Sequence, residues 1–253
     1  MEMKRVIIYG ALVGALFFTA CSSGYSLMSV EGGRVPVTKE YDVNSDEVAA
    51  QILEPYKHKI DSVMAPVIGH AANRLEAYRP ESPLSNLIAD ILVRSSSEKA
   101  GIKADVGVMN MGGIRNILNE GEITVGDIYE IAPFQNALAI VTMKGDILLE
   151  LFKDMAAVHG EGLSGARLVI SKDGKLIDAK VGGKPVDPEK EYHVATIDYL
   201  AEGNDRMDAF KKAITKTQPK DVVLRDLLID YVKYCDAKGE FVDAKVEGRI
   251  VER

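Results

Sequence analysis

The sequence predicts a mixed α/β (α+β) fold, a single layered domain built around a mixed β-sheet. Helix-period and strand-period segments alternate through the first part of the chain, the order expected where helices cover a sheet. From Ala166 onward the pattern changes to short β-rich runs separated by Asp173-Gly174 and Gly182-Gly183, both hairpin signals. Of 253 residues 47% are apolar, enough for one sizeable core, and no repeat or low-complexity segment interrupts them.

The fold is expected to begin well inside the chain. Residues 1–20 have a basic start at Lys4 and Arg5, an apolar run from Val6 to Phe18 and small residues before Cys21, the pattern of a secretory leader. FTAC resembles the lipobox of bacterial lipoproteins, which makes Cys21 the expected lipidation site and new N-terminus. Only Glu2, Lys4 and Arg5 carry charge in the leader, so the mature chain stays acidic and its membrane attachment rests on lipid, not on a polybasic patch. Residues 21–43 are polar, Gly-containing and without helical period, a tether. With Cys21 lipidated, Cys235 has no disulfide partner and reads as a small buried or half-buried hydrophobe.

Residues 44–253 form the expected domain. Between Asn44 and Ala65, Val48, Ile52, Leu53, Tyr56, Ile60, Val63 and Met64 recur at spacings of three and four, an amphipathic helix with Asn44 and Glu47 as a capping box. VIGHAANRLEAY is extended, and Ser82-Pro83 supplies a cap and first position for LSNLIADILVRSSSEK, whose Leu84, Leu87, Ile88 and Ile91 face the core. ADVGVMN is a buried strand broken by the Gly112-Gly113 turn. Thr124 caps VGDIYEI, Pro133 stops it, and ALAIVTM is a central strand. KGDILLELFKDMAAV is a helix, the hairpins follow, DVVLRDLLIDYVKYC is the last helix and GRIVER a closing strand.

Several chemistries are disfavoured. A net charge of -7 with 38 acidic residues argues against a nucleic-acid polymer as partner. The four histidines, His58, His70, His159 and His193, are scattered and make no HExxH, so no metal site is assigned; His58 is expected on a solvent face and His193 within a strand. Ser164-Gly165 lacks a GxSxG elbow, Cys235 lacks an electropositive setting, and Glu189 and Glu191 read as a solvated turn beside lysine. No catalytic residue is assigned and no cofactor is expected in this chain.

What remains is ligand-binding chemistry. NMGGIR, residues 110–115, follows a strand end, and its paired glycines let backbone N–H groups approach an oxygen-rich ligand. Taken alone it is also an ordinary structural turn.

Six segments occur here in the order seen in one family: ESPLSNLIADIL, ADVGVMNMGGIR, GEITVGDIYEIAPFQNAL, KGDILLELF, GKPVDPEKEYHVATIDYL and VLRDLLIDYVK. Together they resemble the C-terminal domain of bacterial 5'-nucleotidases and of related UDP-sugar hydrolases and 2',3'-cyclic phosphodiesterases, over about residues 45–250. The resemblance implies that fold and a nucleoside-recognition role. Position by position it implies that Asn110 bonds the base, that Gly112 and Gly113 form the turn, and that Arg115 faces ribose or phosphate. Phe134 and Tyr199 would clamp the base and Asp205 take ribose hydroxyls. Stacking of a base on aromatic rings is worth ~1 to 3 kcal/mol per base.

The departures are Met111 and Gln135 in place of glycines, Arg206 where GGDGF has glycine, and Tyr199 for phenylalanine. Tyr78 stands where a further arginine is expected, which puts phosphate contact by Arg79 in doubt. The family's metal-binding DxH, GNH and GHxH motifs are not found. The expectation is therefore the recognition domain of a split phosphohydrolase acting on extracytoplasmic nucleotides. Divalent metals would be held by a separate metallophosphoesterase chain, and this chain, anchored by lipid in a bacterial envelope and facing the periplasm from the outer membrane, would be inactive alone. The alternatives are a non-catalytic nucleoside- or nucleotide-binding lipoprotein and a protein-interaction domain whose pocket has decayed; Met111, Gln135 or Arg206 would fill such a pocket.

Overall fold

The computed structural model describes residues 27–44 and 46–253, so the leader and the Cys21 lipidation expectation lie outside the described residues. The described chain falls into two units divided between Gln51 and Ile52. In the first, residues 27–38 form no helix or strand, and a 3-10 helix spans Lys39–Asn44. Helix α1, Glu47–Met64, runs across the division. Its N-terminus is capped by Asp46, whose Oδ1 accepts from the Val48 and Ala49 N–H groups; the side chain of Asn44, expected in a capping box, lies outside the described residues. A helix beginning at residue 47 puts Asp46 next to its first free N–H groups.

The second unit continues with β1 (Val67–Ala71), shorter than the extended segment expected there. Helix α2 (Pro83–Ala100) starts where Ser82-Pro83 places it, with Ser82 extended and Pro83 in the first turn. The Ser82 hydroxyl pairs with Ser85 Oγ at 2.7 Å instead of capping the backbone. Gly101, at φ 67°, ends the helix in the left-handed turn that glycine adopts most readily. Strand β2 (Val106–Met109) is buried at every position and leads into a 3-10 turn, Met111–Gly113.

Next come β3 (Gly121–Thr124) and α3 (Val125–Ile131). Thr124 Oγ1 accepts from the Asp127 N–H while Asp127 accepts from the Thr124 N–H, a reciprocal capping box. Then follow β4 (Leu138–Lys144), α4 (Gly145–Ala157), β5 (Gly162–Ser164), β6 (Ala166–Ile170), β7 (Leu176–Val181) and β8 (Lys184–Pro185). Both expected hairpins are present, β6 to β7 over Asp173-Gly174 and β7 to β8 over Gly182-Gly183. Strand β9 (Glu191–Ile197), the short α5 (Asp198–Ala201), a 3-10 helix at Asp208–Lys212, β10 (Thr215–Thr217), α6 (Leu224–Ala237) and β11 (Ile250–Glu252) complete the chain.

Among the described residues the strands divide into three sheets, ordered β1-β3, β10-β4-β9-β2-β5 and β11-β6-β7-β8. Mixed character lies in two parallel pairs, β2 with β9 and β11 with β6. In the five-stranded sheet, consecutive residues of β2, β4 and β9 are buried, so both faces are covered. Helices α2 and α4 both pack against it, with Phe152, Phe210, Leu92 and Ile140 among the fully buried side chains of the core.

Candidate functional site

Strand order delivers the site. β2 and β9 run parallel, and β4 runs antiparallel to β9 with Leu138 opposite Ile197. The end of β2, the end of β9 and the start of β4 therefore lie together at one edge of the sheet, and each feeds a loop there. In open α/β sheets the carboxyl ends of parallel strands are the usual place for a ligand crevice.

Those three loops enclose a cavity of about 310 Å³ lined by Asn110, Gly112, Gly113, Phe134, Asn136, Tyr199 and Asp205. Six of the seven expected binding residues thus meet around one space. Arg115 does not line it; exposed, it donates from Nη1 to the Gly112 carbonyl at 3.1 Å. Asn136 lines the cavity and was not among the expected residues, although it closes the APFQN segment used for the resemblance. Met111, Gln135 and Arg206 do not line it. Met111 packs into the core at 8% exposure, while Gln135 and Arg206 are exposed.

The turn after β2 spends the N–H groups of Met111, Gly113, Ile114 and Arg115 on the protein. The Met111 N–H donates to Glu161 Oε2, Gly113 to the Asn110 carbonyl, Ile114 to Met111 and Arg115 to Ile131. A phosphate cradle needs several convergent N–H groups that are free, and with these four taken the turn serves more as a wall than as an anion nest. Asn110 likewise gives its Nδ2 to Asp205 Oδ2 at 2.5 Å, and its buried Oδ1 has no partner. Its amide therefore orients Asp205 at the cavity wall, where Asn136 is the second amide.

Asp205 is held from the other side by Tyr199, whose hydroxyl donates to Oδ1 at 2.8 Å. That bond, more than any other influence, raises the Tyr199 pKa above its ordinary value. Each Asp205 oxygen accepts one such bond, and a carboxylate has about four acceptor sites, so capacity remains on both for ligand hydroxyls. Asp205 and Arg206 occupy left-handed backbone at φ 54° and 65°. The arginine thus makes the bend that a glycine would make, with its side chain outward.

The Phe134 loop is tied from behind. The Asn136 carbonyl accepts from the Leu224 N–H at 2.8 Å, and Arg225 donates from Nη1 to the Pro133 carbonyl while its guanidinium stacks over Tyr129 at 3.9 Å. Phe134 itself remains 49% exposed and Tyr199 41%, so two aromatic faces are available to a ligand.

Arg79 is already committed. Its Nη2 pairs with Glu161 Oε1 and its Nε donates to the Gly160 carbonyl at 2.8 Å. Burial is the largest influence on the Glu161 carboxyl and pushes its pKa up, against the Met111 N–H and Arg79, which pull it down. The bland expectations for other reactive groups have simple structural counterparts. His58 is exposed beside Glu54, His193 sits in β9 with Nδ1 3.1 Å from Thr142 Oγ1, and Cys235 is a buried free thiol. Among the described residues no three His, Cys, Asp or Glu side chains gather to hold a metal.

Comparison with known proteins gives the context. A family model described as 5'-nucleotidase, C-terminal domain matches residues 67–212. Endonuclease YhcR of Bacillus subtilis (strain 168) is 31% identical over 82% of this chain and 17% of its own length. Protein UshA of Escherichia coli (strain K12) is 28% identical over 68% of this chain and 32% of its own. The crystal structure of the 5'-nucleotidase precursor from Thermus thermophilus superposes with a TM-score of 0.72 at 27% identity, covering 82% of this chain and 43% of that one. The chain spans less than half the length of each of these proteins.

Proposed function

Because the chain belongs to the 5'-nucleotidase C-terminal domain family, we propose that it is the substrate-recognition domain of a split 5'-nucleotidase-type phosphohydrolase. It holds the nucleoside part of an extracytoplasmic nucleotide, while a separate metallophosphoesterase chain supplies the divalent metals and the hydrolytic step. The observation that carries this reading is the open cavity between Phe134 and Tyr199, with Asp205 at its side and none of Met111, Gln135 or Arg206 in it. A base has two apolar faces and a polar edge. Two aromatic rings with the Asn136 amide suit it, and Asp205 has acceptor capacity for ribose hydroxyls. Catalysis in this arrangement is positioning, the nucleoside being fixed here while metals activate water elsewhere. The leader and Cys21 support a lipid-anchored location in the bacterial envelope, facing the periplasm.

A second reading is favoured by the Arg79 to Glu161 pair and by the turn's inward N–H groups, which leave little in the cavity for a phosphate. It is a lipoprotein that captures nucleosides without chemistry. Calorimetry with adenosine and AMP, followed by AMP hydrolysis in a mixture with a separately produced metallophosphoesterase chain, separates the two. Hydrolysis no faster than with the metallophosphoesterase alone sinks the split-enzyme reading. No heat with either ligand sinks both.

A further inference from the structure

We infer that Glu161, clamped by Arg79, is a positioning residue that fixes the wall formed by residues 110–113 and thereby sets the affinity of the cavity for a nucleoside. The inference rests on the nucleoside reading above. Glu161 does not line the cavity, and at 2% exposure no ligand reaches it. Its two carboxylate oxygens do separate work: Oε1 takes Arg79 Nη2, and Oε2 takes the Met111 N–H.

The anchorage behind the carboxylate is rigid. Gly162, the next residue, pairs with Met109 in the rung of the β2–β5 ladder that lies nearest the cavity. Gly160, on the other side, lies so close to Pro80 that a Cβ there would come within 2.2 Å of the Pro80 carbonyl oxygen. Arg79 Nε holds the Gly160 carbonyl, so one guanidinium grips both the backbone and the carboxylate. Met111 stands two residues beyond Met109, and the Glu161 side chain therefore closes a loop across the strand ends. With the Met111 side chain in the core, the turn is pinned by side chain and backbone together.

From that pin one backbone link and two hydrogen bonds lead into the site. Asn110 precedes Met111, its Nδ2 holds Asp205, and Asp205 holds the Tyr199 hydroxyl. Displacing the turn displaces the ribose acceptor and one stacking ring together. A buried ion pair often adds nothing to stability over a well-packed apolar pair. One orphan N–H alone would be met by a neutral acceptor; a charged clamp gives direction and strength.

The test compares the full chain with Glu161→Gln and with the double variant Arg79→Met/Glu161→Leu, which replaces the ion pair by apolar side chains. Adenosine is the probe, in calorimetry, with thermal melting alongside. Glu161→Gln is expected to weaken adenosine binding about tenfold, the worth of one hydrogen bond to a charged group. The double variant is expected to melt no lower than Glu161→Gln yet to bind at least as weakly, because it recovers packing but leaves the Met111 N–H with no acceptor, whereas glutamine keeps one. A double variant that binds adenosine like the wild type overturns the inference. Should Glu161→Gln fail to fold, the double variant carries the comparison. A wild type that binds no adenosine sinks the nucleoside reading instead, and the clamp is then judged in the free protein by the Met111 amide in methionine-selective ¹⁵N labelling. Slow exchange in the wild type and fast exchange in the double variant support it; fast exchange in the wild type overturns it.

Discussion

Removing Phe134 tests the cavity most directly. The side chain of a phenylalanine buries about 200 Å² when fully covered, and 49% of Phe134 is exposed, which leaves roughly 100 Å² for a ligand. A stacked base covers one face, about half of that, and loses a similar area itself, so about 100 Å² of apolar surface leaves water. At about 25 cal/mol per Å² this amounts to ~2.5 kcal/mol. Alanine retains a little of it, and the half-exposed ring stands outside the buried core. Phe134→Ala should therefore weaken adenosine binding by about 2 kcal/mol, roughly thirtyfold, within the range seen when stacking aromatics are removed elsewhere. Calorimetry measures the affinity, and the melting temperature should move by less than about 2 °C, as for an exposed side chain. An affinity within threefold of the wild type would refute the stacking argument, because an open aromatic face beside the ligand has no other way to be silent.

Other perturbations reach the backbone and the buried charge. Arg206 holds φ 65° without being glycine, so Arg206→Gly should stabilise the chain by about 1 kcal/mol, raising the melting temperature by about 2–4 °C, with adenosine affinity unchanged; a lower melting temperature contradicts this. A Cβ on Gly113 would lie 2.6 Å from Met109 Cε and 2.7 Å from Asn110 Oδ1. The methionine end can move, but the amide holds Asp205, so Gly113→Ala should weaken adenosine binding about tenfold at a destabilisation of ~1–2 kcal/mol in melting experiments. Burial raises the Glu161 pKa above the ordinary carboxylate value, so the folded chain holds this proton more tightly than the unfolded one. The contribution is complete below about pH 4.3, the usual glutamate value, and is lost as pH rises through the higher folded value. The melting temperature of the wild type relative to Glu161→Gln should accordingly grow on acidification from pH 8; a difference that shrinks would reverse the assigned direction.

Local chemistry made some elements readable and long-range packing hid others. The helix α3 was readable to the residue because Thr124, Asp127 and Pro133 act within a few positions of one another. The hairpins were readable for the same reason. At the start of α1, the register of the helix, which begins at Glu47, is what puts Asp46 in reach of the Val48 and Ala49 N–H groups. The partition into three sheets depends on which strands meet across the core, as with β2 and β9, whose paired residues are far apart in the chain. No local pattern contains that information. Phe134, Tyr199 and Asp205 could be grouped only through resemblance, since the β4-β9-β2 order is what brings their loops together.

Glu161 and Met111 show the sharper limit. An acid between two glycines reads as a solvated turn, and nothing within several residues marks it as buried; its burial follows from the β2–β5 pairing, and its partner Met111 lies 50 positions away. Met111 itself is one of the three departures from the family pattern, with Gln135 and Arg206, that suggested a blocked cavity. Its size was readable, but size gives a volume and no direction. The direction is set by the 3-10 turn that follows Asn110 and by the Glu161 carboxylate on its N–H, which together turn the side chain into the core. The same two features draw the turn's donors inward. The side chain expected to obstruct the cavity and the turn expected to approach an oxygen-rich ligand are thus both governed by one backbone conformation, which leaves the space between Phe134 and Tyr199 open.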